Sequence, residues 1–195
     1  GHPLAVLSDD QALGAIPFAR VQLRGERFLR VLGNEARVNL LDRSGWRFGP
    51  SAIWRFGRKD VDDEVVRRVH EIDDSIDLGL FGGYAWTADD EPRRQAGIYG
   101  WGLADVTGSH NGWTAGVSGY VMRPVARAVT LAGGAAATYG SGNYMDTYFG
   151  VTPEDSLASG LPGYRAGAGV RDVRGWLVGT LHLSPRWHVG AGVLY

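Results

Sequence analysis

The sequence predicts an all-β fold, specifically an antiparallel transmembrane β-barrel of about ten strands. Three observations support this prediction. Segments of about ten residues alternate between apolar and polar positions, as β-strands with one apolar face do. The connections between these segments alternate between short and long. Glycine supplies 30 of the 195 residues, about twice its usual share of ~7%, without any collagen-like or low-complexity repeat.

The segment 46–57 shows the alternation most clearly. Its apolar positions form one face: Trp46, Phe48, Pro50, Ala52, Trp54 and Phe56. Its other positions form a face of arginine, serine, glycine and one isoleucine: Arg47, Gly49, Ser51, Ile53, Arg55 and Gly57. In a membrane barrel the apolar face points into lipid, aromatic rings mark both interfaces, and the polar face lines the interior.

Eight further segments predict strands. The segment 75–86 repeats the pattern and places Asp77 on the polar face. The others are 113–121, 129–139, 173–183 and 187–195, with weaker alternation at 14–24, 27–41 and 95–106. The total of nine is odd, whereas bacterial single-chain barrels close with an even number of strands and cannot expose an open edge to lipid. We therefore expect a single barrel domain over residues 1–195 that lacks a terminal strand and closes at ten strands, with twelve as the alternative.

The lengths of the connections predict how the barrel is oriented. Short connections fall at 42–45, 123–126 and 184–186, with one of intermediate length at 88–94, and long ones at 58–73, 107–112 and 140–170. Outer-membrane barrels have short periplasmic turns and long external loops. The long loop 140–170 is therefore expected outside the cell or folded back into the interior.

Composition and motifs argue against several functions. A formal net charge of −1 gives no basic surface for nucleic acid, and the absence of cysteine excludes thiolate metal sites and cysteine nucleophiles. The five histidines are scattered, and His182 and His188 are expected to flank a turn rather than share a face, so we predict no metal site and no cofactor. The acidic residues 60–64 could collect cations, but a solvated loop explains them more simply.

A hydrolytic site has one candidate in the sequence. His110 lies between Ser109 and the downstream loop, with Asp105 nearby, the residue types of a serine hydrolase. The triplet HNG at 110–112 is more simply explained as a loop turn. We therefore expect the protein not to be an enzyme.

Two groups of residues are candidate functional sites. The lumen-facing group, Arg47, Arg55 and Asp77, could form an anion-preferring pore or a filled, ion-paired interior, and side chains usually fill barrels of about ten strands. The candidate interaction loop carries Tyr144, Asp146, Tyr148 and Phe149. Its rings either contact a partner or pack inward and anchor the loop at the rim of the barrel, as the glycines and prolines of this loop favour.

Several stretches resemble a known family. The stretch NYMDTYFGVTPEDSLASGLPGYRAGAGVRDV at 143–173 resembles the signature of the MipA/OmpV family, named after the MltA-interacting protein of the Gram-negative outer membrane. GPSAIWRFGRKDVDDE (49–64), EIDDSIDLGLFGGY (71–84) and LSPRWHVGAGVLY (183–195) resemble other parts of the family, so the resemblance covers nearly the whole chain. Family members continue into a further strand after the equivalent of Tyr195, which agrees with the expected missing strand.

The resemblance implies a function that the residues alone do not. It implies a non-enzymatic scaffold in the bacterial outer membrane, surrounded by lipid or lipopolysaccharide, with a lytic murein transglycosylase and a murein synthase as partners. The alternative is a small outer-membrane channel or an adhesin. Because murein enzymes work in the periplasm, a scaffold would bind them through its short turns or its termini rather than through the long loop.

Overall fold

The computed structural model describes residues 18–57, 72–184 and 187–195, which form one strongly curled antiparallel sheet resembling half a barrel. Its ten strands are β1 (Phe18–Gln22), β2 (Phe28–Leu32), β3 (Glu35–Asn39), β4 (Trp46–Arg55), β5 (Ser75–Thr87), β6 (Gln95–Asp105), β7 (Trp113–Ala126), β8 (Val129–Gly140), β9 (Gly169–His182) and β10 (His188–Leu194). Each strand pairs with its neighbours in sequence, from β1 at one edge to β10 at the other. Two short helices, α1 (Gly142–Phe149) and α2 (Pro153–Ser159), lie between β8 and β9.

The predicted all-β class and the total of ten strands are confirmed, but the nine-strand interpretation is wrong. The segment 27–41 forms two strands, β2 and β3, joined by a turn at Gly33 and Asn34 in which Gly33 has a φ of 57°. This turn changes which residues face inward, from even numbers such as Phe28 to odd numbers such as Arg37, so the alternation across it looks imperfect. The odd count was one of the grounds for a missing terminal strand, and this ground is removed; the missing strand itself stays a prediction.

One predicted turn is misplaced, and several other predicted segments lie partly or wholly outside the described residues. The turn predicted at 123–126 is wrong, because β7 continues to Ala126 through a bulge after Pro124, and the reversal follows at 127–128. Proline lacks the backbone N–H that ladder pairing needs, so a bulge is one of the few places where a sheet tolerates it. Residues 14–17 of the first predicted strand, the acidic residues 60–64 and two residues of the 184–186 turn lie outside the described residues.

The outward face of the sheet is apolar, as the alternation predicts. Its exposed apolar residues include Trp46, Phe48, Trp54, Ile76, Leu78, Leu80, Tyr84, Trp86, Ile98, Trp113, Val117, Val121, Leu131, Tyr139, Val173, Leu177, Leu181, Val189 and Val193. A water-soluble monomer rarely exposes so continuous an apolar surface. No helix in the described part of the chain is long and apolar enough to cross a membrane.

Aromatic residues mark both ends of this apolar face. At one end the rings of Trp46 and Tyr84 meet edge to face, 5.3 Å between centroids. At the other end Trp113 stacks on Tyr139 at 5.8 Å, close to the level of Trp54. Trp46 and Trp54 delimit nine residues of β4, within the ~9–11 residues that a tilted strand needs to cross a bilayer. The two belts have the spacing of the aromatic girdles of membrane barrels.

Glycines on the inner face make room for large aromatic rings. Four inward rings lie directly opposite a glycine on the neighbouring strand: Tyr99 opposite Gly83, Trp101 opposite Gly116, Tyr120 opposite Gly97, and Trp176 opposite Gly134. A Cβ atom at Gly116 would lie 2.3 Å from a ring carbon of Trp101, closer than any real contact. Part of the glycine excess is therefore explained by rings that lie flat over the inner wall.

The connections define two ends of the sheet. The turn side carries the connections at 23–27, 40–45, 88–94 and 127–128 and the turn between β9 and β10. The loop side carries those at 106–112 and 141–168, and also the tight β2–β3 turn at 33–34. The longest described connection, 141–168, lies on the loop side, whereas the seven-residue connections 88–94 and 106–112 lie on opposite sides.

Candidate functional site

A buried polar cluster lies inside the curled sheet at the loop side, centred on Asp77. The Asp77 side chain has no exposed surface. One carboxylate oxygen accepts a hydrogen bond from Arg55 Nε at 2.7 Å. The other contacts His110 Nε2 at 3.0 Å and accepts a hydrogen bond from Ser75 Oγ at 3.3 Å. β4 and β5 pair so that Arg55 lies opposite Ser75, two residues from Asp77, and all three side chains point inward.

Asp105 holds the loop that presents His110. One of its carboxylate oxygens accepts hydrogen bonds from Thr107 N at 2.8 Å and Thr107 Oγ1 at 2.7 Å. The other accepts from His110 N at 2.7 Å and Asn111 N at 2.9 Å. Asn111 adopts the left-handed backbone conformation, with a φ of 48°, which asparagine tolerates better than most residues. The HNG triplet therefore forms a loop turn, and an acidic side chain fixes its shape.

The tautomer of His110 follows from its two partners. Gly112 N donates a hydrogen bond to His110 Nδ1 at 3.0 Å, so Nδ1 carries the lone pair and Nε2 carries the hydrogen. The Nε2 hydrogen is donated to Asp77. The Asp77, Asp105 and His110 ligand atoms lie within 4.8 Å of one another, close enough to hold a metal ion. Each of them already has a protein partner, so an ion could bind only by breaking this network.

The serine hydrolase arrangement considered above is not assembled. Ser109 Oγ donates a hydrogen bond to the backbone oxygen of Asp74 at 2.8 Å. Both nitrogens of His110 are occupied by Gly112 and Asp77, so neither is free to take a proton from Ser109. In this geometry Asp105, Ser109 and His110 are parts of a loop anchor.

Helix α1 covers the cluster with Tyr144. Ser141 caps the helix, with its Oγ accepting from Tyr144 N at 3.4 Å and from Trp113 N at 2.9 Å. The Tyr144 ring meets the His110 ring edge to face, with 5.1 Å between centroids, and is 4% exposed. The guanidinium of Arg55 lies 5.1 Å from the same ring, and Arg171 donates to the Tyr144 hydroxyl at 3.0 Å. Tyr144 thus lies between two cations, which its ring and hydroxyl stabilise.

The four residues of the candidate interaction loop have different environments. Tyr144 is buried, and the hydroxyl of half-buried Tyr148 is also buried, which raises the pKa of that hydroxyl. The carboxylate of Asp146 accepts a hydrogen bond from Ala166 N at 2.8 Å and so ties the end of the loop to its start. Only the Phe149 ring is largely exposed, at 49%. The geometry is that of an anchored loop, and a partner surface on it stays a prediction.

The three residues of the lumen-facing group all lie on the inner face and have acidic or basic partners. Arg55 pairs with Asp77 as described, and Arg47 pairs with Glu26 at 3.0 Å. The sequence did not single out Glu26, because it lies in the connection between β1 and β2 and gives no periodic signal. The described interior is ion-paired at these positions, while its use as a pore or as a filled lumen stays a prediction.

Further inward arginines were also missed. Glu35 bridges Arg30 and Arg37, with both nitrogen–oxygen distances at 2.8 Å. The Arg37 guanidinium also lies 5.3 Å from the Phe81 ring centroid. Burial lowers the number of waters that could solvate these charges, so the carboxylate and the aromatic ring take their place.

The turn side carries a second network. Glu91 accepts two hydrogen bonds from the Arg93 guanidinium, from Nε at 3.0 Å and from a terminal nitrogen at 2.8 Å, and a third from the Arg93 backbone N at 3.1 Å. The same guanidinium donates to the Arg127 backbone oxygen at 2.9 Å and so links the turns 88–94 and 127–128. Hydrogen bonds from Arg93 lower the pKa of Glu91 to about 2.

The turn side also carries a pair of histidines. His182 ends β9, His188 begins β10, and the two are direct cross-strand partners. The prediction that they do not share a face is therefore wrong, because the strands reverse symmetrically around the turn between them. Their Nδ1 atoms lie 3.0 Å apart.

Comparison with known proteins gives one finding. A family model described as "MltA-interacting protein MipA" matches residues 2–195, nearly the whole chain. Neither the curated proteins nor the solved structures contain a match to this chain.

Proposed function

The chain belongs to the MipA family of MltA-interacting proteins, and from this premise we propose that it is a non-enzymatic outer-membrane scaffold for murein-remodelling enzymes. The family match over residues 2–195 is the observation that carries the proposal. The family name describes a protein that interacts with a murein transglycosylase. It therefore indicates an interaction family rather than a catalytic one. A lytic murein transglycosylase is therefore the first partner, and a murein synthase the second.

The outward face supports a place in the outer membrane. Its continuous apolar surface ends in aromatic belts on both sides, which suits contact with lipid or with the acyl chains of lipopolysaccharide. The curled sheet with inward charged pairs suits a barrel wall with a polar interior.

The turn side is the surface that we assign to the enzyme. Short connections of outer-membrane barrels face the periplasm, where murein lies. The Glu91–Arg93 pair and its bond to the Arg127 backbone hold two of these turns in a fixed arrangement. A surface that is already ordered loses less conformational entropy when it binds, so this network favours association. Exposed charges surround it: Arg24, Arg27, Arg43, Asp89, Asp90, Arg94 and Arg127.

The buried cluster on the loop side supports a structural role for that end. Its catalytic-type residues bond to one another, and α1 covers them. This arrangement suits a protein that stabilises a shape better than one that binds and releases a substrate.

Binding of a purified lytic murein transglycosylase to the full chain in detergent micelles tests the proposal. Surface plasmon resonance should show binding that Arg43→Glu and Arg127→Glu, on the turn side, each weaken by about tenfold or more, because reversed charges repel a complementary partner. Arg165→Glu, an exposed arginine in the loop between α2 and β9, is the matched control and should leave binding unchanged.

Two results would contradict the proposal. Loss of binding in Arg165→Glu alone would move the partner surface to the loop side. No binding, together with steady ion conductance in planar bilayers, would favour a channel instead.

A further inference from the structure

The histidine pair on the turn side has the geometry of two ligands to one metal ion. His182 and His188 project from adjacent strands at directly paired positions, and their Nδ1 atoms are 3.0 Å apart. The rings are nearly perpendicular, at 76°, with centroids 4.8 Å apart. Imidazole nitrogens are among the commonest ligands of late transition metals.

The two nitrogens lie close enough to bind one ion together. With metal–nitrogen bonds of about 2.05 Å, two nitrogens 3.0 Å apart would subtend an angle of about 94° at the metal. The preference among ions follows from the ligand type, because imidazole binds Ni²⁺ and Cu²⁺ more tightly than the earlier first-row divalent ions.

A buried threonine orients one of the two rings. His182 Nε2 lies 2.9 Å from Thr130 Oγ1, and Thr130 is 3% exposed. When His182 Nε2–H donates to this hydroxyl, the lone pair remains on Nδ1, which points at His188. Ligand histidines usually have such a partner on the second nitrogen, which fixes the tautomer and the ring direction.

The two Nδ1 atoms lie within hydrogen-bonding distance, so one of them donates to the other. In the tautomer that carries the His182 hydrogen on Nε2, the donor is His188 Nδ1–H. An incoming ion takes the place of this hydrogen, which moves to His188 Nε2 through solvent. His188 is exposed, so this exchange requires no rearrangement of the strands.

We propose that His182 and His188 form a two-histidine site on the turn side for a late first-row divalent cation, Cu²⁺ or Ni²⁺, with water at the remaining positions. The site is independent of the scaffold function, because it uses the end of β9 and the start of β10 and neither Arg43 nor Arg127. An ion here would also clamp the edge strand β10 to β9.

Titration of the full chain in micelles with CuCl₂ and NiCl₂ tests the site. All variants are made in a His2→Ala background, so that a histidine near the first residue cannot contribute. Isothermal titration calorimetry should show one bound ion, and electron paramagnetic resonance of the Cu²⁺ form should show two imidazole nitrogens. His182→Ala and His188→Ala should each weaken binding by at least about tenfold, and Thr130→Val should weaken it by about tenfold through loss of the orienting hydrogen bond.

His70→Ala is the matched control and should leave the affinity unchanged. The proposal is overturned if the His182→Ala, His188→Ala double variant binds Cu²⁺ as tightly as its parent, or if the spectrum shows a single nitrogen. Equal competition by Mg²⁺ would also overturn it, since that ion prefers oxygen ligands. Any of these results leaves the transglycosylase assay, and with it the scaffold proposal, unaffected.

Discussion

Removal of the Asp77 carboxylate should destabilise the protein more than any other single change to its buried polar cluster. In Asp77→Ala, Arg55 loses its ion pair at a site where its side chain is 14% exposed, and the fully buried His110 ring loses the acceptor of its Nε2 hydrogen. Breaking a buried ion pair by removing one partner costs about 3–5 kcal/mol. Arg55 keeps a hydrogen bond to Thr114 at 3.2 Å and its contact with the Tyr144 ring, so we expect the lower end, about 3 kcal/mol.

The free energy of unfolding can be measured by guanidinium titration in micelles, followed by tryptophan fluorescence. Asp90→Ala is the control, because Asp90 is 74% exposed and its nitrogen–oxygen distance to Arg94 is 3.7 Å. Exposed pairs of this kind contribute at most about 1 kcal/mol. A loss below about 1 kcal/mol in Asp77→Ala would refute the argument that this carboxylate neutralises a buried charge.

Three other predictions follow from the two faces and the turn network. Gly116→Ala should lower the free energy of unfolding by about 1–3 kcal/mol through overpacking against Trp101. Gly102→Ala is the control and should change it little, because nothing lies within 4 Å of the new Cβ. Equal effects of the two substitutions would contradict the role given to the inner glycines. Val117→Arg, on the outward face of β7, should cost about 2–4 kcal/mol in refolding into lipid vesicles, and a cost below 1 kcal/mol would argue against lipid contact. The pKa of Glu91 is about 2 in the folded protein, below the ordinary value of 4.5 for a glutamate, so its pairing should stabilise the fold above pH 4.5 and cease to do so as the pH falls towards 2. Arg93→Ala should raise that pKa in an NMR titration, and an unchanged value would show that Arg93 is not the cause.

The strand faces could be predicted because a period of two is a local signal. Trp54 and Arg55 are neighbours in sequence and point to opposite faces, and the alternation around them states this directly. The β2–β3 hairpin was missed because the inward positions change from even to odd numbers at the turn. The segment 27–41 therefore shows only imperfect alternation when it is taken as one strand. The Gly33-Asn34 pair between two five-residue runs is a recognised hairpin signal, and it would have given the correct total.

The buried cluster depends on pairing between distant segments. Asp77 could be placed on the inner face, but His110 reaches it from 33 residues away, through a loop that Asp105 shapes. No pattern of neighbouring residues in the sequence predicts a contact between residues so far apart. The His182–His188 pair is different, since a turn at 184–186 already places 182 opposite 188. The contact could therefore have been predicted from the strand pairing around that turn.

Helix α1 mechanically links two strands that lie far apart in the sheet. Arg55 on β4 and Arg171 on β9 both lie within 6 Å of the Tyr144 ring centroid, at 5.1 and 5.8 Å. Along the sheet these strands are five steps apart, about 24 Å at the usual strand spacing of about 4.8 Å. A force that lifts α1 must break its contacts with both strands at once. The position of the loop and the curvature of the sheet are therefore coupled. A force applied to the exposed part of the loop would be transmitted to both β4 and β9.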